Sequence, residues 1–569
     1  MKFHFIILMG LLLSLSSYAQ KATDLSAEGP EYYQLIAAYQ KLANRYDNAT
    51  LKEIGLSDSG KPLSLFLVQS DDFGSEDIST YGDDKLVILI NNGIHPGESC
   101  GIEASLNWLK EVLKEPIPED ILLAVIPVYN IGGLLQRRPH TRANQNGPNL
   151  QGFRGNARNL DLNRDFIKAD ARNTLAFYQV FQTLKPHIFI DTHTSNGADY
   201  AYTMTLISTL ADKLAPSLAK VLKEEMEPAL FASMKMKNWE MSPYVNVFGR
   251  TPDSGFSAFL ESPRYASGYT ALFNTIGFIT EAHMLKPFAD RVAATEAFLE
   301  SLYEFSTLHS EEIIAAKILA DNWQKAANRF PVDWQLDTSV VEKLSFNGFA
   351  SATISSHLGP YKRLKYYRDS SKTMEVNYYP HYKAIQEAVV PNYYIIPFAQ
   401  REVIALLEAH EIEMRPLQKD SIISGDFWQI EDYQFASEPY EGHFRLTEVK
   451  ARPQHLSRKF YQGDFLVPAH QGKAYFLSSV LHPLGRDSYL SWGFFHSIFE
   501  SKEYFSTYVF EETAANLLEE NSLLKADFKA WQIANPEKAK NAYESLNFIY
   551  QRSDYFEEEY LSYPIGFIN

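Results

Sequence analysis

The chain has 569 residues, with 53 Lys and Arg against 70 Asp and Glu, for a net charge of −17. That length leaves room for roughly two or three domains with full-sized cores. The acidic balance argues against nucleic acid or an anionic membrane as a partner. A single cysteine, Cys100, excludes an internal disulfide, so the fold must stand on its core alone.

In chain order, the first nineteen residues read as a signal peptide. Lys2 gives a short positive end, Phe3 to Leu13 is mostly apolar, and Ser17-Tyr18-Ala19 is a small-x-small cleavage site before Gln20. The apolar run is too short to span a bilayer, and no later stretch reaches the necessary length. These features predict an exported protein, periplasmic or secreted, with no membrane insertion. An amphipathic helix is predicted over Pro30–Tyr46, then strands at Leu63–Val68 and Lys85–Ile90, a helix over Ile102–Leu113 and a strand at Leu122–Val128. Gly132 to Asn159, rich in Gly, Asn, Arg and Pro, reads as a long functional loop. Further helices are expected at Thr174–Leu184 and Leu210–Leu230, with a short apolar strand at Ile188–Ile190 between them. A nearly continuous helical pattern from Phe288 to Trp323 closes the first domain, 20–325. The alternation is that of an α/β sheet with helices on both faces.

Beyond Phe330 the texture changes, and 330–569 is expected to form a second domain, mixed α+β and rich in strands. Short apolar runs at Ala350–Ile354, Tyr393–Pro397 and Ala474–Phe476 alternate with turn signals. Helices are expected at Gln400–His410 and Thr513–Lys529. This half carries no metal-ligand spacing, nucleophile elbow or phosphate loop, and its role is open between orienting substrate, binding the cell envelope and wrapping the first domain.

Chemistry concentrates in the first half. A catalytic zinc takes three protein ligands of imidazole or carboxylate type and leaves one position for water. His95 and Glu98 follow the apolar run Lys85–Ile90 and the turn Asn91-Asn92-Gly93, immediately before a predicted helix. His193 follows a second apolar run. Strand ends of this kind are where ligand sites lie in α/β sheets. The bare His-x-x-Glu pattern recurs at His309/Glu312 and His410/Glu413, but inside helical runs with no turn before them. Context singles out the first copy.

The order of His95-x-x-Glu98, then Asp161-Leu162-Asn163-Arg164, then His193, then Glu281 closing Gly277-Phe278-Ile279-Thr280, resembles the metallocarboxypeptidases of the pancreatic carboxypeptidase family. The resemblance covers about half the chain, roughly Pro30 to Arg291. It implies a mixed central sheet flanked by helices and one Zn2+ per chain held by His95, Glu98 and His193. It implies Glu281 as general base, and Arg142 as the group that polarises the scissile carbonyl, although Arg137, Arg138 and Arg154 lie in the same basic segment. Asn163 and Arg164 would hold a free C-terminal carboxylate, which suits the planar guanidinium fork. Asp161 would accept a hydrogen bond from the outer nitrogen of His95, and Asp191 is a lesser candidate for a similar place beside His193, a turn or cap role being the alternative. Tyr265 or Tyr269 would cap the substrate, and Arg264 is either a further anion-binding group or a loop residue. The implied activity is hydrolysis of the C-terminal peptide bond by a zinc-activated water. The alternatives are an amidohydrolase, deacylase or cell-wall peptidase on the same scaffold and, more distantly, an inactive binding protein. Three departures stand out: Gly97 where the pancreatic enzymes carry Arg, Asp165 where a neutral polar residue is expected, and a slightly short span from Glu98 to His193. Cys100 is expected to be buried near the metal but outside its ligand shell.

Overall fold

The computed structural model describes residues 28–73, 77–78, 81–82 and 84–569, so the predicted signal peptide lies outside the described residues. The first half builds one eight-stranded mixed sheet. Its strands are β1 (Ala49–Leu56), β2 (Pro62–Val68), β3 (Leu86–Asn91), β4 (Ile121–Ile126), β5 (Ile188–Ser195), β6 (Met204–Ser208), β7 (Met241–Pro243) and β9 (Ile276–His283). The short β8 (Phe256–Ser257) pairs elsewhere. The order across the sheet is β1-β2-β4-β3-β5-β9-β6-β7. β4, β3, β5 and β9 are parallel, and antiparallel strands flank them.

The central strands are continuous apolar runs because both faces are covered. Leu63, Leu65, Leu67, Val87 and Leu89 enter one core cluster. Their alternating neighbours Phe66, Val68, Leu86, Ile88 and Ile90 enter the other. The second face is covered by the helices Cys100–Val112 and Phe288–Leu308. The first is covered partly by Arg172–Leu184 and partly by the second half of the chain: Phe177 and Phe181 share a core with Ile404, Phe476 and Leu477. The apolar core therefore runs continuously across the boundary expected near residue 330. Among the described residues, no helix is long and apolar enough to cross a membrane.

In the second half, β10 (Arg329–Leu336) pairs with β13 (Tyr382–Val389), and β11 (Glu342–Ser355) forms a long hairpin with β12 (Lys362–Tyr379). β12 also pairs with β8, tying this hairpin to the first half. A six-stranded sheet holds β14 (Tyr393–Ile396), β15 (Arg415–Pro416), β16 (Ser421–Phe435), β17 (Leu446–Phe460), β18 (Phe465–Pro468) and β19 (Ser562–Ile568).

Several expectations are corrected. The short apolar run Ala474–Phe476, in a half expected to be rich in strands, is the start of a helix, Ala474–Leu481, with every residue buried. Burial on all sides removes the periodicity that would tell helix from strand. The pattern Phe288–Trp323 is two helices, Phe288–Leu308 and Ser310–Ala326, broken at His309. Thr513–Lys529 likewise spans two helices, Thr507–Glu520 and Ser522–Ala534, with Asn521 capping the second through its side chain.

Candidate metal centre and cleft

β3 is the topological switch of the sheet, with β4 on one side and β5 on the other. The crevice beyond the strand ends at such a switch is where ligands bind. The chain leaves β3 through Asn92 and Gly93, whose φ of 65° is the left-handed turn that glycine favours. His95 and Glu98 follow, just ahead of the helix Cys100–Val112. His193 lies within β5 rather than after it, because the strand runs on to Ser195. Glu281 is its register partner on the parallel neighbour β9.

These placements bring His95, Glu98 and His193 together, all buried, with one ligand atom of each within 4.8 Å of the others. Both imidazoles turn Nδ1 inward: His193 Nδ1 lies 3.1 Å and His95 Nδ1 3.4 Å from Glu98 oxygens. Both outer nitrogens meet carboxylates. His95 Nε2 lies 2.8 Å from Asp161 Oδ1, and His193 Nε2 lies 2.9 Å from Asp191 Oδ2. Donation of Nε2–H to each carboxylate leaves the inner lone pair free. Asp191 is itself held by the Asn91 amide at 3.1 Å, from the register partner on β3.

The centre favours positive charge. Burial alone would lower the pKa of His193, yet Asp191 and Glu98 raise it well above the ordinary value. Burial would raise Glu98, but Arg142 and the histidines hold it well below the usual carboxylate range. His95 Nδ1 is buried with no hydrogen-bond partner, an orphan facing the cluster. Imidazole and carboxylate ligands with fixed outer nitrogens fit a dication of the zinc type. Cys100 is buried behind them, its sulfur 3.9 Å from the His193 carbonyl and outside the cluster.

A cleft of about 620 Å³ opens over this cluster. Glu281 lines it with its side chain partly open to the space. Burial pushes its pKa up to about 8, with His193 opposing and Glu98 adding to the rise. Arg142 lines the cleft too, but its Nη1 donates to Glu98 Oε1 at 2.7 Å. Of the other arginines in that segment, Arg154 also faces the cleft, donating through Nε to Asp161 at 2.9 Å. Arg137 instead binds the carbonyls of Gly29 and Pro30, and Arg138 is exposed away from the cleft.

Asn163 and Arg164 sit on a single 3-10 turn capped by Asp161 and reach the same cleft. The Asn163 side-chain oxygen accepts from Ala266 N–H at 3.0 Å. The Arg164 guanidinium lies 4.4 Å above the Tyr265 ring. Tyr265 lines the cleft, whereas Tyr269 does not. Tyr269 is fully buried, stacked on Tyr178 with its hydroxyl taking a hydrogen bond from Gln182. The helix Ala266–Ala271 turns it inward, which corrects its candidacy as a substrate cap. Arg264 is committed to Asp487 of the second half at 2.7 Å. Asp165 is buried and accepts from Lys168, Thr174 and the backbone of Ala171, so it staples its own loop.

Sequence reasoning missed Tyr440, Glu441 and His443, which reach the Asp161–Asp170 segment from the second half. It also missed that Ile207, Tyr244 and Phe259 join Ile279 in an apolar wall of the cleft. Ile207 and Ile279 are register partners on β6 and β9, a pairing no local pattern announces.

No protein-family model matches the chain, and no curated protein sequence resembles it. Solved structures that it resembles include a metallo-carboxypeptidase from Pseudomonas aeruginosa, in complex with (2-guanidinoethylmercapto)succinic acid. That match has 15% identity, covers 49% of this chain and 68% of the other, and has a TM-score of 0.37. A metallo-carboxypeptidase from Burkholderia cenocepacia matches at 16% identity, 48% and 68% coverage and a TM-score of 0.36. Carboxypeptidase A from Helicoverpa armigera matches at 15% identity, 54% and 79% coverage and a TM-score of 0.37. The chain is thus similar to metallo-carboxypeptidases over about half its length.

Proposed function

We propose that the chain is a zinc-dependent carboxypeptidase that releases the C-terminal residue of peptides. One observation carries the reading: two histidines meet at Glu98 with their outer nitrogens fixed by Asp161 and Asp191, in a cleft that also holds Glu281 and Arg164. His95, Glu98 and His193 would hold the ion. Bound there, zinc would supply a Lewis acid and lower the pKa of water to roughly 7.

The remaining chemistry belongs to the chain. Glu281, in an apolar surround that raises its proton affinity, takes the proton of the attacking water and returns it to the leaving amine. Arg142, which lines the same cleft beside Glu98, polarises the scissile carbonyl in this reading. Arg164 and Asn163 bind the terminal carboxylate, with Tyr265 beneath the guanidinium. The wall of Ile207, Tyr244, Phe259 and Ile279 favours an apolar terminal side chain, whose burial contributes roughly 1.5–3 kcal/mol.

The test is a mixed library incubated with zinc-loaded protein and read by mass spectrometry. It holds free-acid, C-amidated, D-residue and γ-linked peptides, with N-acyl amino acids added. Loss of one C-terminal residue from free-acid peptides, apolar residues first, is the expected result. Turnover of N-acyl amino acids alone would assign an amidohydrolase instead, and no turnover at all would leave a binding protein.

A further inference from the structure

A tight turn of the second half meets the segment that carries Asn163 and Arg164. Between β16 and β17, Tyr440 and His443 form a backbone bridge, with Tyr440 N–H to His443 O at 2.9 Å and His443 N–H to Tyr440 O at 3.1 Å. The residues between them, Glu441 and Gly442, have φ of 51° and 82°. Positive φ at both central positions is the two-residue turn whose twist suits a hairpin. Glycine adopts it freely, while a glutamate there is uncommon and persists only where its surroundings hold it.

What holds it is the segment that carries Arg164. Asp161 N–H donates to Glu441 Oε2 at 2.7 Å, and His443 Nε2 lies 2.7 Å from Asp170 Oδ2. Arg164 Nε–H donates to the Tyr440 hydroxyl at 2.9 Å. The Tyr440 ring stacks in turn on Trp492, which is fully buried. Arg164 is thus gripped on one edge. Nε goes to Tyr440, Nη1 goes to the Asn163 carbonyl at 2.7 Å, and the Tyr265 ring lies against the flat face. Among the described residues, Nη2 has no hydrogen-bond partner. Tyr440 itself does not line the cleft; it touches the guanidinium only through Nε.

We propose that Tyr440 is a positioning residue for the substrate carboxylate, and that the turn Tyr440–His443 makes the second half of the chain part of the binding site. A guanidinium on a flexible stem loses rotamer freedom when it binds a carboxylate. One already fixed through Nε presents its remaining N–H groups in a set direction and loses less. This inference rests on Arg164 being the carboxylate receptor.

The experiment compares Tyr440→Phe, which keeps the ring on Trp492 and removes only the hydroxyl, with Arg164→Ala. Zinc-loaded protein is assayed on a free-acid peptide and its C-terminal amide, and the ratio is taken within one preparation so that any loss of folded protein cancels. Tyr440→Phe should raise KM for the acid roughly threefold to tenfold, the range of one ordinary net hydrogen bond at an exposed contact, with kcat nearly unchanged. Its amide kinetics should match the parent's, so the acid-to-amide preference falls by the same factor. A merely structural turn would lower both substrates alike. If Arg164→Ala abolishes the preference while Tyr440→Phe leaves it at the parent's value, the positioning role is wrong and the receptor stands. If Arg164→Ala leaves the preference intact, the receptor is elsewhere and both assignments fall.

Discussion

A Cβ placed on Gly97 would lie 2.7 Å from Arg142 Cδ and 2.7 Å from the Gly152 carbonyl oxygen. The stem of Arg142 crosses the space that a side chain at 97 would fill, and its Nη1 then reaches Glu98. The glycine that departs from the pancreatic pattern is therefore what admits Arg142 to the cleft.

Arg142→Gln removes the guanidinium without the clash that any side chain at 97 would make with the Gly152 carbonyl, and keeps the three residues proposed to hold the metal. We expect kcat/KM to fall on the order of tenfold to a hundredfold, a fraction of what a preorganised charge contributes, with metal content at the parent's level. Parental kcat/KM in the variant would show that Arg142 has no part in turnover. Arg154, which also faces the cleft, would then be the group to vary.

The carboxylates behind the histidines should govern metal affinity. Asp191→Asn and Asp161→Asn each replace a charged acceptor at 2.9 Å or 2.8 Å from an imidazole nitrogen. Each should weaken zinc binding by about tenfold to a hundredfold, read by competition with a chromogenic chelator. Affinities equal to the parent's would mean that the outer bonds do not set the ligands.

Stability should fall in acid through histidines buried in neutral form. Burial lowers His187 and His410 to about 3, and His283 and His482 to about 4. Below the unfolded value of about 6.5, the unfolded chain takes up protons that the folded chain refuses. Stability therefore falls with pH from about 6.5 downward, and the loss levels off near the folded values. The slope is roughly 1.4 kcal/mol per pH unit for each group. His410 stacks against Phe476 and Phe273. His410→Phe should make a plot of unfolding free energy between pH 6 and 5 shallower by about one such increment. An unchanged slope would remove His410 from the account.

Glu281→Gln keeps the shape of the proposed base and removes its charge. Turnover should drop by about 100- to 10,000-fold while zinc remains bound. Activity near the parent's would place the base elsewhere.

Much of this site was legible because its residues sit where local patterns are strongest. An apolar run ending in a turn located the end of β3, and with it His95 and Glu98; a second apolar run located the start of β5, which carries His193 further along the same strand. What was not legible depends on distant partners. β1 (Ala49–Leu56) was missed because it is a half-exposed edge strand, whose Lys52 and Glu53 break the apolar pattern. Tyr265 and Tyr269 could not be told apart until the intervening helix turn set one toward the cleft and the other into the core. The Glu441-Gly442 turn had no strong signal of its own. Its meaning comes from Arg164, which lies 276 residues from Tyr440.

The most direct test of the central claim is elemental analysis of the purified protein after zinc loading and exhaustive dialysis, run beside His193→Ala and Glu281→Gln. The account predicts one zinc per chain in the parent and in Glu281→Gln, and none in His193→Ala. A parent protein that retains no zinc would contradict it.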